Sequence, residues 1–164
     1  MITIREYLPT DLRAMMEIWN NIVEEGEAFP QEDILTLDAA ANFFGAQSRT
    51  AVAEYNGEIV GLYILHPNNV GRCSHIANAS YAVHRDKRGM HIGEALVTDC
   101  INSCAALGFR ILQFNAVVST NQPALKLYEK LGFVQLGTIP CGFRGKDGSY
   151  ADIIPHYINI EPRS

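Results

Sequence analysis

The dipeptide Asn56-Gly57 constrains the fold of this chain more than any other feature. It stands between two apolar runs, Thr50–Glu54 and Glu58–His66. Both residues tolerate the positive φ that a two-residue hairpin turn requires, so the pair predicts a β-hairpin. Pro67, Asn68, Asn69 and Gly71 then make a turn, and His75–Val83 follows as a third strand. The centre of the sheet is therefore expected to begin antiparallel. Upstream, Ile2–Tyr7 alternates apolar and polar residues, as a short strand does. Thr10 is the expected cap of a helix whose apolar positions, Leu12, Met15, Met16, Ile18, Trp19, Ile22 and Val23, recur at helical spacing. Gly26 ends it, and a weaker helix covers Leu37–Gln47.

After Val83 the order changes. Ile92–Leu107 carries a helical apolar stripe closed by Gly108, and Arg110–Val118 is an apolar strand. Asn121–Leu131 reads as a helix with Pro123 in its first turn and Gly132 as its cap. Phe133–Ile139 is the next expected strand, Gly145–Gly148 a turn, and Tyr150–Ile158 the last strand. This order predicts an α/β chain of the α+β mixed-sheet kind: a central, mostly antiparallel twisted sheet with helices on both faces. No linker divides the 164 residues, so a single domain over 1–164 is expected.

Composition narrows the partners. Thirteen Lys and Arg against eighteen Asp and Glu leave a formal charge of −5, which argues against nucleic acid or an anionic membrane as a general partner. No stretch approaches the ~20 apolar residues of a membrane span. Arg5 and Glu6 come too early for a secretory leader, and a cytoplasmic location is expected. Cys100 and Cys104, four apart, share one helix face. They suit either half a metal site or two small core positions; with no second ligand pair the core reading prevails, and no metal is expected.

The chemistry concentrates between the third strand and the long helix. His84-Arg85-Asp86-Lys87-Arg88-Gly89-Met90-His91-Ile92-Gly93 places several cationic residues before a helix N-terminus, where first-turn N–H groups lack intrahelical partners. The segment suits a phosphate-binding turn; a solvated basic loop is the alternative. A dinucleotide-binding turn does not fit the antiparallel strands that precede it, and no GxxxxGK[ST] motif is present.

A second segment lies downstream: Asn121-Gln122-Pro123-Ala124-Leu125-Lys126-Leu127-Tyr128-Glu129-Lys130-Leu131-Gly132-Phe133. Together the two resemble the GCN5-related N-acetyltransferase (GNAT) superfamily. Its cofactor turn, Arg/Gln-x-x-Gly-x-Gly/Ala, is matched at Arg88, His91 and Gly93, with His91 replacing the middle glycine. Its downstream signature is matched at Asn121, Ala124, Tyr128, Gly132 and Phe133. The resemblance implies the acyl-CoA N-acyltransferase fold and acetyl-CoA as co-substrate. Backbone groups near Val83 would hold the pantetheine arm, and Arg88, Gly89, His91, Ile92, Gly93 and Glu94 the diphosphate. Asn121 would bond the arm, and Tyr128 would stand near the sulfur as the acid that protonates it. A buried core aromatic is the other reading of Tyr128.

Many superfamily members carry a Glu as base on the strand before the cofactor turn; His75–Val83 has none. A narrower likeness, through Ser74–Ala79 and Phe114–Asn121, is to acetyltransferases of L-azetidine-2-carboxylate and related proline analogues. Its functional asparagines would fall on Asn78, Asn115 and Asn121, with Asn78 and Asn115 binding the acceptor; having no carboxylate there, the expected mechanism removes the amine proton through a water positioned by Asn78. Ile18-Trp19-Asn20 through Phe29 resembles the phosphinothricin branch. Alternatively, both asparagines satisfy local backbone where two strands part, and His75 is the nearest titratable candidate base. Three functions stay open: N-acetylation of a small amine, of a protein or peptide, or non-catalytic acyl-CoA sensing. A homodimer through the final strands is part of the resemblance.

Overall fold

The computed structural model describes residues 1–161. One sheet carries the strands β1 (Ile2–Glu6), β2 (Arg49–Tyr55), β3 (Glu58–Pro67), β4 (Ile76–Val83), β5 (Ile111–Val118), β6 (Val134–Gln135), β7 (Ile139–Arg144) and β8 (Tyr150–Asn159). Its order is β1-β2-β3-β4-β5-β8-β6, with β7 also paired to β8. Every pairing is antiparallel except β4 with β5. The Asn56-Gly57 hairpin forms as expected, with φ of 50° and 79° and Tyr55 opposite Glu58.

Alternation sorts the central strands into two cores. Val52, Leu62, Ile64 and Ala82 meet α1 (Leu12–Glu25) and α2 (Leu37–Gly45) on one face. Ala51, Tyr63, Leu65 and Ala77 meet α3 (Ile92–Cys104) on the other, and Leu125, Leu127 and Tyr128 of α4 (Gln122–Lys130) pack on the same side. Gly61 lets α3 approach closely: a Cβ there would meet the Ala82 carbonyl at 3.0 Å and Ile92 and Leu96 at 3.1 Å. Cys100 and Cys104 are fully buried in this core.

Two expectations need correction, and one strand was not foreseen. Thr10 does not cap α1; it lies in a short 3-10 turn, Pro9–Asp11. Asp11 fixes this corner instead, accepting Arg5 at 2.8 and 3.2 Å and the Leu8 N–H at 2.7 Å. The strand expected over Phe133–Ile139 keeps only Val134–Gln135, because Gly137 turns the chain at φ +104°. Extended backbone resumes as β7, an unexpected strand whose pairing is interrupted between Ile139 and Phe143, around Cys141 at φ +56°.

Candidate active site

The site grows from a failure of pairing. β4 and β5 run parallel and match only at Ile76–Ile111 and Ala77–Leu112, then part. At the fork the Asn78 side chain substitutes for a backbone rung, its Nδ2 donating to the Gln113 carbonyl at 2.9 Å. Beyond it opens a cavity of about 560 Å³. Asn78, Ser80 and Tyr81 of β4, Asn115 and Val117 of β5, and Asn121, Ala124 and Tyr128 at α4 line one part of it. Phe29, Pro30, Gln31, Phe43 and Gln47 wall it from the α1–α2 side. That wall is held by a cluster around buried Trp19, whose ring centroid lies 4.5 Å from Phe29, 5.2 Å from Phe43 and 5.8 Å from Phe44.

Tyr128 stands at the inner end. Phe114 at 4.7 Å, Phe133 at 5.3 Å and His156 at 5.6 Å enclose its ring. Burial pushes its phenol well above the ordinary range, so the hydroxyl stays protonated through neutral pH. Tyr81 is pushed up by burial in the same way. Asn121 Oδ1 caps α4 by accepting the Ala124 N–H at 3.3 Å. Asn115 sits where the β5–β8 register slips; its Nδ2 donates to Asn68 at 2.6 Å and its Oδ1 accepts from Gln113 at 3.0 Å. Asn78 and Asn115 thus line one cavity, and each also bonds to backbone or to a turn, as the local alternative expected.

The turn before α3 has the shape expected of an anion cradle. Gly89 at φ +85° and His91 at φ +60° curl the backbone, and the Ala95 N–H is the first to close onto the His91 carbonyl. The N–H groups of Ile92, Gly93 and Glu94 precede that bond and have no intrahelical acceptor. His91 holds the left-handed geometry without being glycine, and its Nδ1 lies 3.6 Å from Glu94. A Cβ on Gly93 would lie 3.8 Å from Leu127 and 4.0 Å from Val83, ordinary contact distances. Protein packing therefore tolerates a methyl group at 93, while a longer side chain would enter the passage between β4 and α4. The residues present fit a diphosphate on the turn and an extended arm running past Val83. Arg88 departs from expectation: its guanidinium pairs with Glu25 of α1 at 2.9 Å. Glu94 is bound by Lys130 of α4 at 2.9 Å, and that ammonium holds its carboxyl below the usual range.

His75 is not in the cavity; it lines a separate cleft with Arg110, Ile111 and Asn159. His66, the last residue of the run Glu58–His66, is in it. Sequence reading missed His66 because its side-chain face depends on register with β4.

Residues 12–133 match the model of the acetyltransferase (GNAT) family, and the chain belongs to that family. It is an acyltransferase that takes acetyl-CoA as co-substrate. The N-acetyltransferase aca1 of Schizosaccharomyces pombe is 28% identical over 137 residues, covering 73% of this chain and 66% of that protein. The L-amino acid N-acyltransferase MnaT of Escherichia coli is 26% identical over 99% of this chain and 96% of its own. A GCN5-related N-acetyltransferase from Kribbella flavida superposes with a TM-score of 0.88 at 32% identity, covering 96% of this chain and 97% of that one. Among the described residues, no helix is long and apolar enough to cross a membrane.

Proposed function

We propose that this acetyltransferase acts on the amine of a small molecule, an amino acid or a proline analogue, in a ternary complex. The observation that carries the reading is the wall of the acceptor cavity. The segment from Trp19 to Phe44 folds over the sheet and bounds a space of about 560 Å³, within the range of small-ligand sites. That wall restricts one side of the space, which favours a small acceptor over an extended peptide. The likeness to an L-amino acid N-acyltransferase supports the same acceptor class.

Bound acetyl-CoA supplies the activated thioester. The helix-start amides of Ile92, Gly93 and Glu94, with Gly89 and His91 shaping the turn, receive its diphosphate. Arg88 adds charge when it leaves Glu25. Backbone groups near Val83 and the Asn121 side chain hold the arm. Asn78 and Asn115 orient the acceptor through their amides, and Tyr128 Oη carries the proton that the departing sulfur takes. Two copies pairing along the final strands, where Val134, Leu136 and Ile139 are exposed, belong to the same reading, and sedimentation would report their mass.

The test is thiol release from acetyl-CoA with a panel of L-amino acids, L-azetidine-2-carboxylate, polyamines and lysine-bearing peptides. Release with one or more small amino or imino acids is expected. Release with peptides alone, or with none of the panel, overturns the proposal.

A further inference from the structure

We propose that His66 is the general base that removes the acceptor's proton; the inference rests on the small-amine reading above. Among the described residues, the cavity has no carboxylate, ammonium or guanidinium in its lining. Its titratable groups are His66 and the phenols Tyr81 and Tyr128, and burial keeps both phenols protonated through neutral pH. An amine enters neutral water mostly as an ammonium, which cannot attack a thioester until a proton leaves. Of the groups lining the cavity, the imidazole alone carries a basic nitrogen that can take up that proton.

Two geometric facts place His66 in the role. It is the direct cross-strand partner of Asn78 in the β3–β4 ladder, so the two side chains share one face and adjoin. Its Nδ1 lies 3.0 Å from the Pro67 carbonyl. A carbonyl can only accept, so in the neutral ring Nδ1 carries the hydrogen and Nε2 carries the lone pair. The side chain is half-buried and lines the cavity; in the proposed role Nε2 meets the acceptor there, directly or through one water. Other groups lining the cavity with it, Gln47, Asn78, Ser80 and Asn115, are uncharged.

The proton accounting closes. Nε2 takes one proton from the ammonium, freeing the nitrogen lone pair to form the C–N bond. As the C–S bond breaks, its electron pair leaves on sulfur and takes the Tyr128 proton. The second amine proton returns to Tyr128 through water, and His66 releases its own to solvent. One amide, one thiol and one proton result.

The experiment compares wild type with H66N and H66Q, using the best acceptor in the panel. Asparagine retains a donor toward Pro67 and removes the base. Wild-type kcat is expected to rise with pH along a limb that depends on the imidazole. Both variants should lose that limb and ~10²-fold in kcat at pH 7, at unchanged acetyl-CoA affinity and melting temperature. Long-range ¹⁵N spectra of the wild type should show hydrogen on Nδ1 and none on Nε2 of neutral His66. Variants within threefold of wild type on an unchanged pH profile, or the opposite tautomer, overturn the assignment of His66 and leave the small-amine reading standing. A wild type inactive on every acceptor defeats that reading, and this one with it.

Discussion

Replacing Gly93 by Ala should make the protein more stable and leave co-substrate binding nearly unchanged, whereas Gly93→Leu should obstruct it. Gly93 is the second residue of α3 and lies outside the left-handed region, so alanine adopts its backbone freely. In a helix interior that exchange gains ~0.5–1 kcal/mol; in the first turn we take ~0.5. The new methyl meets Leu127 at 3.8 Å and Val83 at 4.0 Å, contacts that neither clash nor leave a void. For a chain of this length ~0.5 kcal/mol raises the melting temperature by ~1–2 °C. The same methyl stands beside the gap between the end of β4 and α4, and alanine is one of the two residues that the cofactor turn admits at this position, so a Kd for coenzyme A within threefold of wild type is expected. A leucine at 93 extends into that gap and should raise Kd at least tenfold, ~1.4 kcal/mol. Differential scanning fluorimetry of the free proteins and calorimetric titration with coenzyme A separate the effects. A leucine variant whose Kd stays within twofold of wild type would show that the co-substrate does not pass this turn, and a melting temperature several degrees lower in the alanine variant would show that the packing around residue 93 has been misjudged.

Tyr128→Phe should lower kcat by ~10²–10⁴ and leave the fold intact, since the ring stays enclosed by Phe114, Phe133 and His156. An unchanged turnover number would remove the hydroxyl from the reaction. Arg88 and Glu25 give opposite expectations: Glu25→Gln frees the guanidinium and should tighten coenzyme A binding two- to fivefold, and Arg88→Ala should weaken it. Movement of both in one direction would exclude the competition. His156 is 1% exposed, with Nδ1 donating to the Ile154 carbonyl at 2.7 Å and Nε2 unpartnered. Burial depresses its pKa below 6.5, so the unfolded chain takes up the proton first as pH falls. The stability it contributes is complete above about pH 6.5 and lost below it, toward the folded pKa. Urea midpoints should therefore fall from pH 7 to pH 5 and fall less in His156→Leu; equal slopes would refute the assignment.

Local signals were legible in the sequence, and distant partnerships were not. Asn56-Gly57 placed the hairpin because turn chemistry is a property of two residues. The helix beginning at Ile92 was readable from its apolar stripe, and His91 from the position it fills in the cofactor turn. Arg88 was not, because its partner Glu25 lies 63 residues away. Neither was the tie between Asn115 and Asn68, 47 residues apart. His66 escaped for a subtler reason: only the β3–β4 register reveals that it adjoins Asn78. The C-terminal strands blurred because Gly137 and Cys141 interrupt an extended run that alternation alone cannot divide.

The two matched positions that join β4 to β5 have a consequence for the free protein. Beyond them, alternate amides of residues 78–83 turn away from β3 toward no neighbouring strand, which makes a raw margin in the middle of the molecule. Amide hydrogens there should trade with deuterated solvent far faster than those at Leu62–Leu65. A bound pantetheine chain, with amides of its own, would slow them as a borrowed strand does, so the same measurement that maps the seam also times its closing.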